Sequence, residues 1–339
     1  MSYVQLKEKI KSKELSPVYL LYGTETYLIE DIQREIVNAV LDPTDMDFNL
    51  SVFDMKEVSV QEALETAQTI TFFGGKRVVV LKESFFLSTQ KEKTEVEHDL
   101  GTLEDYVSNP AEDSVIVIVA PYEKLDERKK IVKAVKKSAE VLHADAFNER
   151  ILNEWLDQQA INCGVSISRD AKERLIQLVG GNLMLMSKEM EKFSLYVGEG
   201  GQVDDSVVDL LTVKTLEQDV FSLVDHVVNK RLAKALQIFY DLLQQKEEPI
   251  KLLTLLARQF RIIYHVKVLS SQGMNQKEMA SELKLHPYAV KIAMKQAQAF
   301  DYPQLSNAIG LFADADYKIK SGTTDKKLAF ELLMLQLQQ

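Results

Sequence analysis

Hydrophobic positions change their spacing along the chain, and the change predicts two kinds of architecture. Before residue 147, short continuous apolar runs alternate with segments in which apolar residues recur every three or four positions, as in buried strands and helices respectively. The predicted strands are Val18–Tyr22, Phe48–Phe53, Arg77–Leu81, Val115–Ala120 and Glu140–His143. The predicted helices between them are Thr24–Val40, Val60–Gln68, about Glu95–Ser108 and Arg128–Lys137. Since parallel strands need crossover connections, this alternation predicts a five-stranded parallel sheet covered by helices on both faces.

After Phe147 the strand pattern stops and only helical spacing continues. A compact group of helices is predicted first, with glycines at 180–181 and 198–201 marking its loops: Glu149–Gln159, Ser168–Leu178, Met184–Tyr196 and Asp204–Leu210. A longer helical series follows: Asp219–Val228, Leu232–Gln245, Pro249–Ser270, Gln276–Leu283, Pro287–Ala299, Pro303–Ile319 and Asp325–Leu337. We therefore expect an α/β domain over 1–146, a small helical domain over 147–212 and a larger all-α domain over 213–339.

The chain is acidic as a whole, with a formal net charge of −10, which argues against a free-standing nucleic-acid coat protein. The charge is uneven: residues 213–339 hold 17 Lys and Arg against 13 Asp and Glu, whereas the remaining residues hold 24 against 38. Such an asymmetry is consistent with different partners at the two ends. Cys163 is the only cysteine, and no apolar run reaches the roughly 20 residues of a membrane span. These features predict a cytoplasmic protein without internal disulfides or membrane contact.

Pro17–Gly23 and the helix after it have the strand–loop–helix order of a nucleotide-binding P-loop, but the phosphate-binding residues are missing. A P-loop needs a second glycine five residues after the first, then Lys, then Ser or Thr. Those places hold Leu28, Ile29 and Glu30, so the backbone cannot close round a phosphate and a carboxylate would repel it. We expect Gly23 to form an ordinary turn between strand and helix.

The end of the predicted strand Arg77–Leu81 fails a second test for a nucleotide site, because NTPases place a carboxylate there to hold Mg²⁺. Lys82 and Glu83 follow this strand, and a lysine opposes a metal ion. We call the residues that fail both tests the degenerate nucleotide site and do not expect them to bind: Gly23, Leu28, Ile29, Glu30, Lys82 and Glu83. No cofactor, catalytic site or metal site is expected, since the five His residues show no ligand spacing with Cys163 or one another. The competing interpretation is an ATP-driven enzyme with a heavily altered site.

A second candidate site lies just before the strand Arg77–Leu81, in the segment Thr71–Gly75, which we call the tip segment. It follows a helix whose start is marked by Ser59 and Glu62, a capping-box pattern. Gly74 and Gly75 permit a sharp turn, which leaves Phe72 and Phe73 at the tip of the loop. Exposed neighbouring aromatics make good anchors for a pocket on a partner, whereas the alternative is that both rings cap the core of the sheet.

Several blocks of the sequence resemble, in the same order, the delta subunit family of the bacterial DNA polymerase III clamp loader. They span nearly the whole chain: Pro17–Ile36, Thr71–Val80, Lys124–Lys130, Gly181–Phe193 and Glu282–Lys291. No single block is as specific as a P-loop, but their order along the chain is that of the family.

The resemblance implies an AAA+-like first domain without a functional ATP site, a small helical lid domain and a helical collar domain. It also implies a non-catalytic subunit of a DNA-directed DNA polymerase holoenzyme, which grips the sliding clamp (beta) and opens its ring for loading onto primed DNA. In the family, a hydrophobic pair at the tip of the first domain plugs into a clamp pocket. Phe72 and Phe73 occupy those places, with Thr71, Gly74 and Gly75 around them. Leu-Phe is a frequent version of the pair, so Phe at the first place is a departure that keeps the apolar bulk.

Other partners follow from the same resemblance. They are the sibling clamp-loader subunits (tau/gamma and delta-prime) and the primer-template DNA within the assembly, with residues 213–339 forming the collar. Since this chain lacks a working nucleotide site, ATP binding by the siblings would expose or hide its tip.

A rival interpretation of the C-terminal part is a DNA-binding regulator. Asn275–Leu283, a short connector and Pro287–Ala299 match the lengths of a helix-turn-helix motif. However, Tyr288 and Val290 leave little polar surface near the start of the second helix, where base edges are usually read by Arg, Asn or Gln. A simple hairpin of the helical bundle is the other interpretation of the same segment.

Overall fold

The computed structural model describes residues 1–71, 75–90 and 94–337. The chain divides into two compact units, Met1–Ala146 and Phe147–Gln339. Each has its own arrangement of elements.

The first unit is built on a five-stranded, wholly parallel sheet, as the sequence predicts. Its strands are β1 (Val18–Gly23), β2 (Leu50–Asp54), β3 (Arg77–Lys82), β4 (Ser114–Ala120) and β5 (Glu140–Ala144). Their order across the sheet is β2-β3-β4-β1-β5. Every residue of β4 is buried, which explains why this strand appears in the sequence as an unbroken apolar run.

Helices cover the sheet and connect its strands. They are α1 (Tyr3–Lys11), α2 (Thr26–Val40), α3 (Met46–Asn49), α4 (Val60–Gln68), α5 (Leu100–Ser108) and α6 (Lys130–Ser138), with a 3₁₀ turn at Phe85–Leu87. The predicted cap at Ser59 is present, since its hydroxyl accepts the N–H of Glu62 at 3.3 Å. The apolar faces of α4, α5 and α6 bury against one side of the sheet.

Four elements in the first unit begin two or more residues away from the sequence prediction. Phe48 and Asn49 belong to the helical turn of α3 rather than to β2, because the N–H of Asn49 bonds the carbonyl of Asp45 at 2.8 Å. Helix α5 begins at Leu100 rather than near Glu95, where the carboxylate of Asp99 caps its first N–H groups. Helix α2 begins at Thr26 and helix α6 at Lys130, each two residues later than predicted.

The second unit is mainly helical. Its helices are α7 (Glu149–Asn162), α8 (Arg169–Val179), α9 (Leu183–Val197), α10 (Asp205–Leu211), α11 (Leu216–Val228), α12 (Leu232–Gln244), α13 (Pro249–Ser271), α14 (Gln276–Leu283), α15 (Pro287–Ala297), α16 (Tyr302–Lys320) and α17 (Lys326–Gln336). The expectation that strands stop after Phe147 is wrong. The pair β6 (Ser166–Ile167) and β7 (Gln202–Val203) forms a short parallel ladder, too brief to leave a periodic pattern.

Helix α13 is the centre of the C-terminal bundle. It buries Leu252, Leu256, Phe260 and Ile263 among α11, α15, α16 and α17. A buried pair of side-chain amides also joins two of these helices. The Nε2 of Gln259 on α13 donates to the Oε1 of Gln296 on α15 at 2.7 Å, which favours one alignment of the two helices. The division of the second unit into a lid over 147–212 and a collar over 213–339 stays a prediction.

Among residues 1–71, 75–90 and 94–337, no helix is long and apolar enough to cross a membrane.

Candidate functional site

The degenerate nucleotide site lies at the carboxyl edge of the sheet, and its turn is closed by contact with β5. Gly23 ends β1 with φ +132°, and a Cβ there would lie 2.3 Å from the carbonyl oxygen of Ala144. The N–H of Glu25 donates to that same oxygen at 2.9 Å. The backbone of this turn is therefore engaged with the neighbouring strand, in the place where a P-loop would turn its amides toward a phosphate.

The first turns of α2 are used for packing rather than for ligand contact. Leu28 and Ile29, at the places of the second glycine and the lysine of a P-loop, are buried in the core of the first unit, and Glu30 faces outward. The carboxyl of Glu25, just before the helix, has a pKa raised by burial. Apolar side chains and carboxylates at this turn offer nothing that would hold a polyphosphate.

The sequence analysis missed a buried polar network on the same helix. Asp31 accepts a hydrogen bond from the hydroxyl of Tyr3 and one from the Nζ of Lys7, the latter at 2.6 Å. Arg34 also contacts the Asp31 carboxylate, at 2.5 Å. This network fastens α1 to α2. The available signal was a single acidic residue between Ile29 and Ile32, on a face that is otherwise apolar.

Lys82 and Glu83 also lie at the carboxyl edge of the sheet. Lys82 is the exposed last residue of β3, and Glu83 takes a positive φ of 53° directly after it. The Glu83 carboxylate accepts the hydroxyl of Tyr122 at 3.3 Å and pairs with Lys56 at 3.0 Å. These contacts hold the end of β3 to the neighbouring loops.

The tip segment lies at the other edge of the sheet, immediately before β3. Phe72, Phe73 and Gly74 fall outside the described residues. On either side of them, the hydroxyl of Thr71 donates to the carbonyl of Gly75 at 3.2 Å. Gly75 has φ +81° with open space around it, so the two ends of the segment meet at a left-handed turn.

Exposed apolar residues flank the tip segment, and the sequence analysis did not single them out. Ile70, directly before it, is 91% exposed. Phe48, which precedes the neighbouring strand β2, is 67% exposed. Large apolar side chains at such exposures are typical of surfaces that meet a partner. The only signal for Ile70 was its position between the last turn of α4 and the two phenylalanines.

The two candidate sites lie on opposite edges of one parallel sheet. β3 runs from Arg77, next to the tip segment, to Lys82, next to the degenerate nucleotide site. At about 3.3 Å per residue the two ends of this strand are roughly 17 Å apart. The tip segment and Lys82 are close in sequence, but the structure places them at opposite ends of β3.

The Lys124–Lys130 stretch fastens the loop before α6. Lys129 donates from its Nζ to the carbonyl oxygens of Phe86 and Ser88, at 2.8 Å in each case. A single antiparallel bridge joins Ser88 to Leu125. At least one lysine of this basic stretch is therefore engaged in hydrogen bonds inside the first unit.

Helices α14 and α15 have the lengths of a helix-turn-helix, and Lys284 ends the first of them in a left-handed conformation. The start of α15 packs inside the second unit. Its Tyr288 ring lies 4.0 Å from the place a Cβ would take on Gly180, and Val290 and Ala293 are buried. This packing does not favour insertion of the helix into a DNA groove, which needs an exposed helix start. In the part of the chain that the structure describes, no group of three or more His, Cys, Asp and Glu could hold a metal ion.

Comparisons with known proteins assign both ends of the chain to one family. A family model described as "DNA polymerase III, delta subunit" matches residues 19–145, and a model for the C-terminal domain of the same delta subunit matches residues 217–337. A further model, described as a middle domain, matches residues 148–210.

Individual relatives agree with these matches. The chain is 41% identical to the Bacillus subtilis DNA polymerase III subunit delta, over 97% of this chain and 95% of the relative. It is 25% identical to a probable DNA polymerase III subunit delta of Aquifex aeolicus, over 76% of this chain and 72% of that protein. The solved structure of the Bacillus subtilis DNA clamp loader delta protein superposes with a TM-score of 0.85 at 40% identity, covering 99% of both chains.

Proposed function

The chain belongs to the DNA polymerase III delta subunit family, and from that premise we propose that it binds the sliding clamp and opens, or holds open, its ring for loading onto primed DNA. Membership makes it a clamp-loader component that takes part in DNA replication. The observation that carries the finer proposal is the tip segment: a turn closed between Thr71 and Gly75, beside the exposed Ile70, at the sheet edge opposite the degenerate nucleotide site.

The proposed contact is made by Phe72 and Phe73. Each phenylalanine buried in a partner contributes roughly 1.5–3 kcal/mol. Ile70 adds a third apolar side chain next to the pair. Together these side chains anchor a clamp, and other contacts around them supply the rest of the affinity.

The proposed mechanism uses binding energy rather than bond chemistry. A closed ring opens when a partner binds its open form better than its closed form, by an amount equal to the difference between the two affinities. No catalytic residue is needed in this chain for that task. The turn at Gly23 is engaged with Ala144, so this chain is not expected to bind ATP itself. ATP binding by sibling subunits would therefore control access to the tip.

The rest of the chain is proposed to serve assembly. The helices of 213–339 form the collar that joins the sibling subunits, and 147–212 is the lid. Primer-template DNA is the nucleic-acid partner of the whole assembly, in the cytoplasm. The packed start of α15 makes this bundle role a better account of the C-terminal helices than a DNA-reading motif.

The test is binding of the purified chain to the sliding clamp of its own organism, without nucleotide. Wild type should bind tightly, and the Phe72→Ala/Phe73→Ala variant should bind at least 100-fold more weakly, since two anchors worth about 1.5–3 kcal/mol each are removed. Circular dichroism checks that the variant keeps its fold.

A matched control comes from another pair of adjacent apolar residues. Leu195 and Tyr196, at the end of α9 in the second unit, are 87% and 57% exposed. The Leu195→Ala/Tyr196→Ala variant should bind the clamp like wild type. If both double variants weaken binding equally, the effect comes from removing exposed apolar surface in general and not from a specific contact. If the phenylalanine variant binds like wild type, the clamp contact lies elsewhere on the chain.

A further inference from the structure

Helix α6 has a wholly basic outer face. Lys130, Lys133 and Lys137 are exposed, and their spacing of three and four residues places them on one side of the helix. The apolar side chains of the opposite side are buried against the sheet, and the helix contains no acidic residue. The three lysines span about 10 Å along the helix axis. They form one continuous positive surface, which we call the lysine strip.

The acidic residues closest in sequence to the lysine strip are engaged elsewhere. Four of them lie between residues 126 and 145, and each is 2.5–3.0 Å from a basic group outside the strip. The pairs are Asp126 with Arg128, Glu127 with Lys136, Glu140 with Lys9, and Asp145 with His143. Within the described part of the chain, no ion pair joins the lysine strip to an acid. Its charge is therefore available to a partner.

The stability of α6 does not explain the lysine strip. Cations suit the last turn of a helix, where Lys137 lies, but they oppose the helix dipole in the first turn. Lys130 is the first residue of α6 and follows Lys129, and the first turn holds no acid to balance them. The first unit as a whole is acidic, with 18 Lys and Arg against 27 Asp and Glu. A local concentration of lysines on such a unit is suited to an anionic partner.

An aromatic stack lies beside the same helix. The rings of Tyr22 on β1 and His143 on β5 are register neighbours, with their centroids 4.4 Å apart and their planes 11° from parallel. The Nζ of Lys136 on α6 lies 5.3 Å from the centre of the Tyr22 ring, which joins the stack to the helix. The side chain of His143 remains 42% exposed. An exposed ring that is already held in place offers a surface for a further planar group.

The chemistry of this surface favours nucleic acid over protein. Protein interfaces are depleted in Lys and enriched in aromatic side chains and Met, whereas Lys and Arg neutralise the phosphates of bound nucleic acid. Between residues 121 and 146, all of which the structure describes, no large apolar side chain is exposed. Proteins that bind single strands combine basic groups along the phosphate backbone with aromatic side chains against the bases. The lysine strip and the stacked ring of His143 supply both.

We propose that the lysine strip and His143 bind a single strand of DNA. Phosphates lie against Lys130, Lys133 and Lys137, and one base stacks on the exposed part of the His143 ring. The inference rests on the proposed function, which brings primed DNA to the assembly, and it adds a DNA contact inside the first unit.

The experiment measures binding of the full chain to a fluorescent oligothymidine of about 20 nucleotides over a series of salt concentrations. The Lys130→Gln/Lys133→Gln/Lys137→Gln variant should bind more weakly. It should also flatten the slope of log affinity against log salt by about 2, because each phosphate contact on a single strand contributes about 0.7. The matched control removes three exposed lysines of the second unit and should keep the slope of wild type: Lys188→Gln/Lys234→Gln/Lys277→Gln.

Two substitutions of His143 test the stacking contact. His143→Ala removes the ring and should weaken binding about 5- to 100-fold. His143→Phe loses the same pair with Asp145 but keeps an aromatic ring, so it should bind the oligothymidine more tightly than His143→Ala, with an equal salt slope. Circular dichroism checks that all variants keep their fold.

The outcomes separate this inference from the function on which it rests. Equal slopes for the two triple variants would assign the binding to diffuse charge, and equal binding by the two His143 variants would remove the stacking contact; either overturns the inference. Displacement of the oligothymidine by a polyglutamate peptide of similar charge also overturns it, since the surface would then take an acidic protein. Clamp binding is measured separately with wild type. A chain that binds the clamp but not the oligothymidine loses only this inference, whereas a chain that fails to bind the clamp loses the proposed function.

Discussion

The imidazole ring of His286 lies directly against the backbone of Gly181. A Cβ on Gly181 would come within 1.9 Å of the His286 Cε1 atom and 2.3 Å of its Nδ1. The same ring caps α15, since its Nδ1 accepts the N–H of Tyr288 at 3.1 Å. Within the second unit, this contact joins the turn between α8 and α9 to the turn between α14 and α15. A glycine is required at 181 because a histidine ring occupies the place of its side chain.

Adding one methyl group at this contact should loosen the second unit. Gly181→Ala places a methyl carbon closer to the His286 ring than a Cβ atom can come to any neighbouring atom. Either the ring or the turn must therefore move. Overpacking of this kind costs about 1–3 kcal/mol, and we expect a lower melting temperature. Differential scanning calorimetry measures the change.

Gly310, inside α16, provides the matched control. It has open space where a Cβ would be, and glycine is a poor helix former. Gly310→Ala should therefore raise the free energy of unfolding by about 0.5–1 kcal/mol. If both alanine variants change stability in the same direction, the contact between His286 and Gly181 is not what makes Gly181 necessary.

Acid should weaken the same contact. Burial lowers the pKa of His286 below its ordinary value of 6.5, because the charged imidazolium is poorly solvated there. The unfolded chain then binds more protons than the folded chain as the pH falls below 6.5, so stability is full above that pH and declines below it. Urea unfolding at pH 7.5 and pH 5.5 measures the loss.

His286→Asn separates this residue from other titrating histidines. Burial also lowers the pKa of His98 and of His226, so part of the acid effect belongs to them. An asparagine still caps the helix but does not titrate. The variant should lose less stability than wild type between the two pH values, and an equal loss would assign the acid effect to the other histidines.

Breaking the network on α2 should destabilise the first unit. Asp31→Leu leaves Lys7 with only its 3.1 Å pair to Glu35 and removes its charged hydrogen bond to Asp31, which typically costs about 1.5–3 kcal/mol. The Lys7→Met/Asp31→Leu double variant removes both charges and should recover most of that loss. Lys9→Met, on the same helix, breaks only a surface pair with Glu140 and should leave the free energy of unfolding nearly unchanged. Denaturant titration of the four proteins would contradict the network if Asp31→Leu and Lys9→Met cost the same.

Restoring the P-loop residues should not restore nucleotide binding. The Leu28→Gly/Ile29→Lys/Glu30→Ser variant brings back the motif, but the turn before it stays engaged with Ala144. It also removes two buried apolar side chains, each worth about 2–5 kcal/mol. We expect no binding of a fluorescent ATP analogue and a much lower melting temperature, whereas Glu30→Ser alone should be neutral. Tight Mg²⁺-dependent binding by the triple variant would show that the residues, and not the turn, are what the site lacks.

Local patterns were sufficient to predict most of the architecture. The apolar runs at 78–81 and 115–119 lie within β3 and β4, and α4 and α14 have the predicted bounds. The five-stranded parallel sheet and the family are both confirmed. These features depend on neighbouring residues, or on short blocks whose order is preserved, and both can be recognised in a single sequence.

The features that the sequence did not reveal depend on residues far apart. Lys7 and Asp31 are 24 positions apart, and only the packing of α1 on α2 brings them together. The role of Gly181 depends on His286, more than 100 positions further on. The ladder of β6 and β7 is two residues long, too short for any period to appear. Phe72 and Phe73 lie outside the described residues, so their role as clamp anchors stays a prediction.

The amino edge of the sheet has a consequence for folding. Its surface is assembled from the residues that precede β1, β3 and β4, which are spread over about 100 positions of the chain. Parallel pairings of such distant segments form slowly, because loop closure comes before any gain in contact energy. A partly folded first unit cannot present this surface. Engagement of a partner there would therefore act as a check that the sheet is complete.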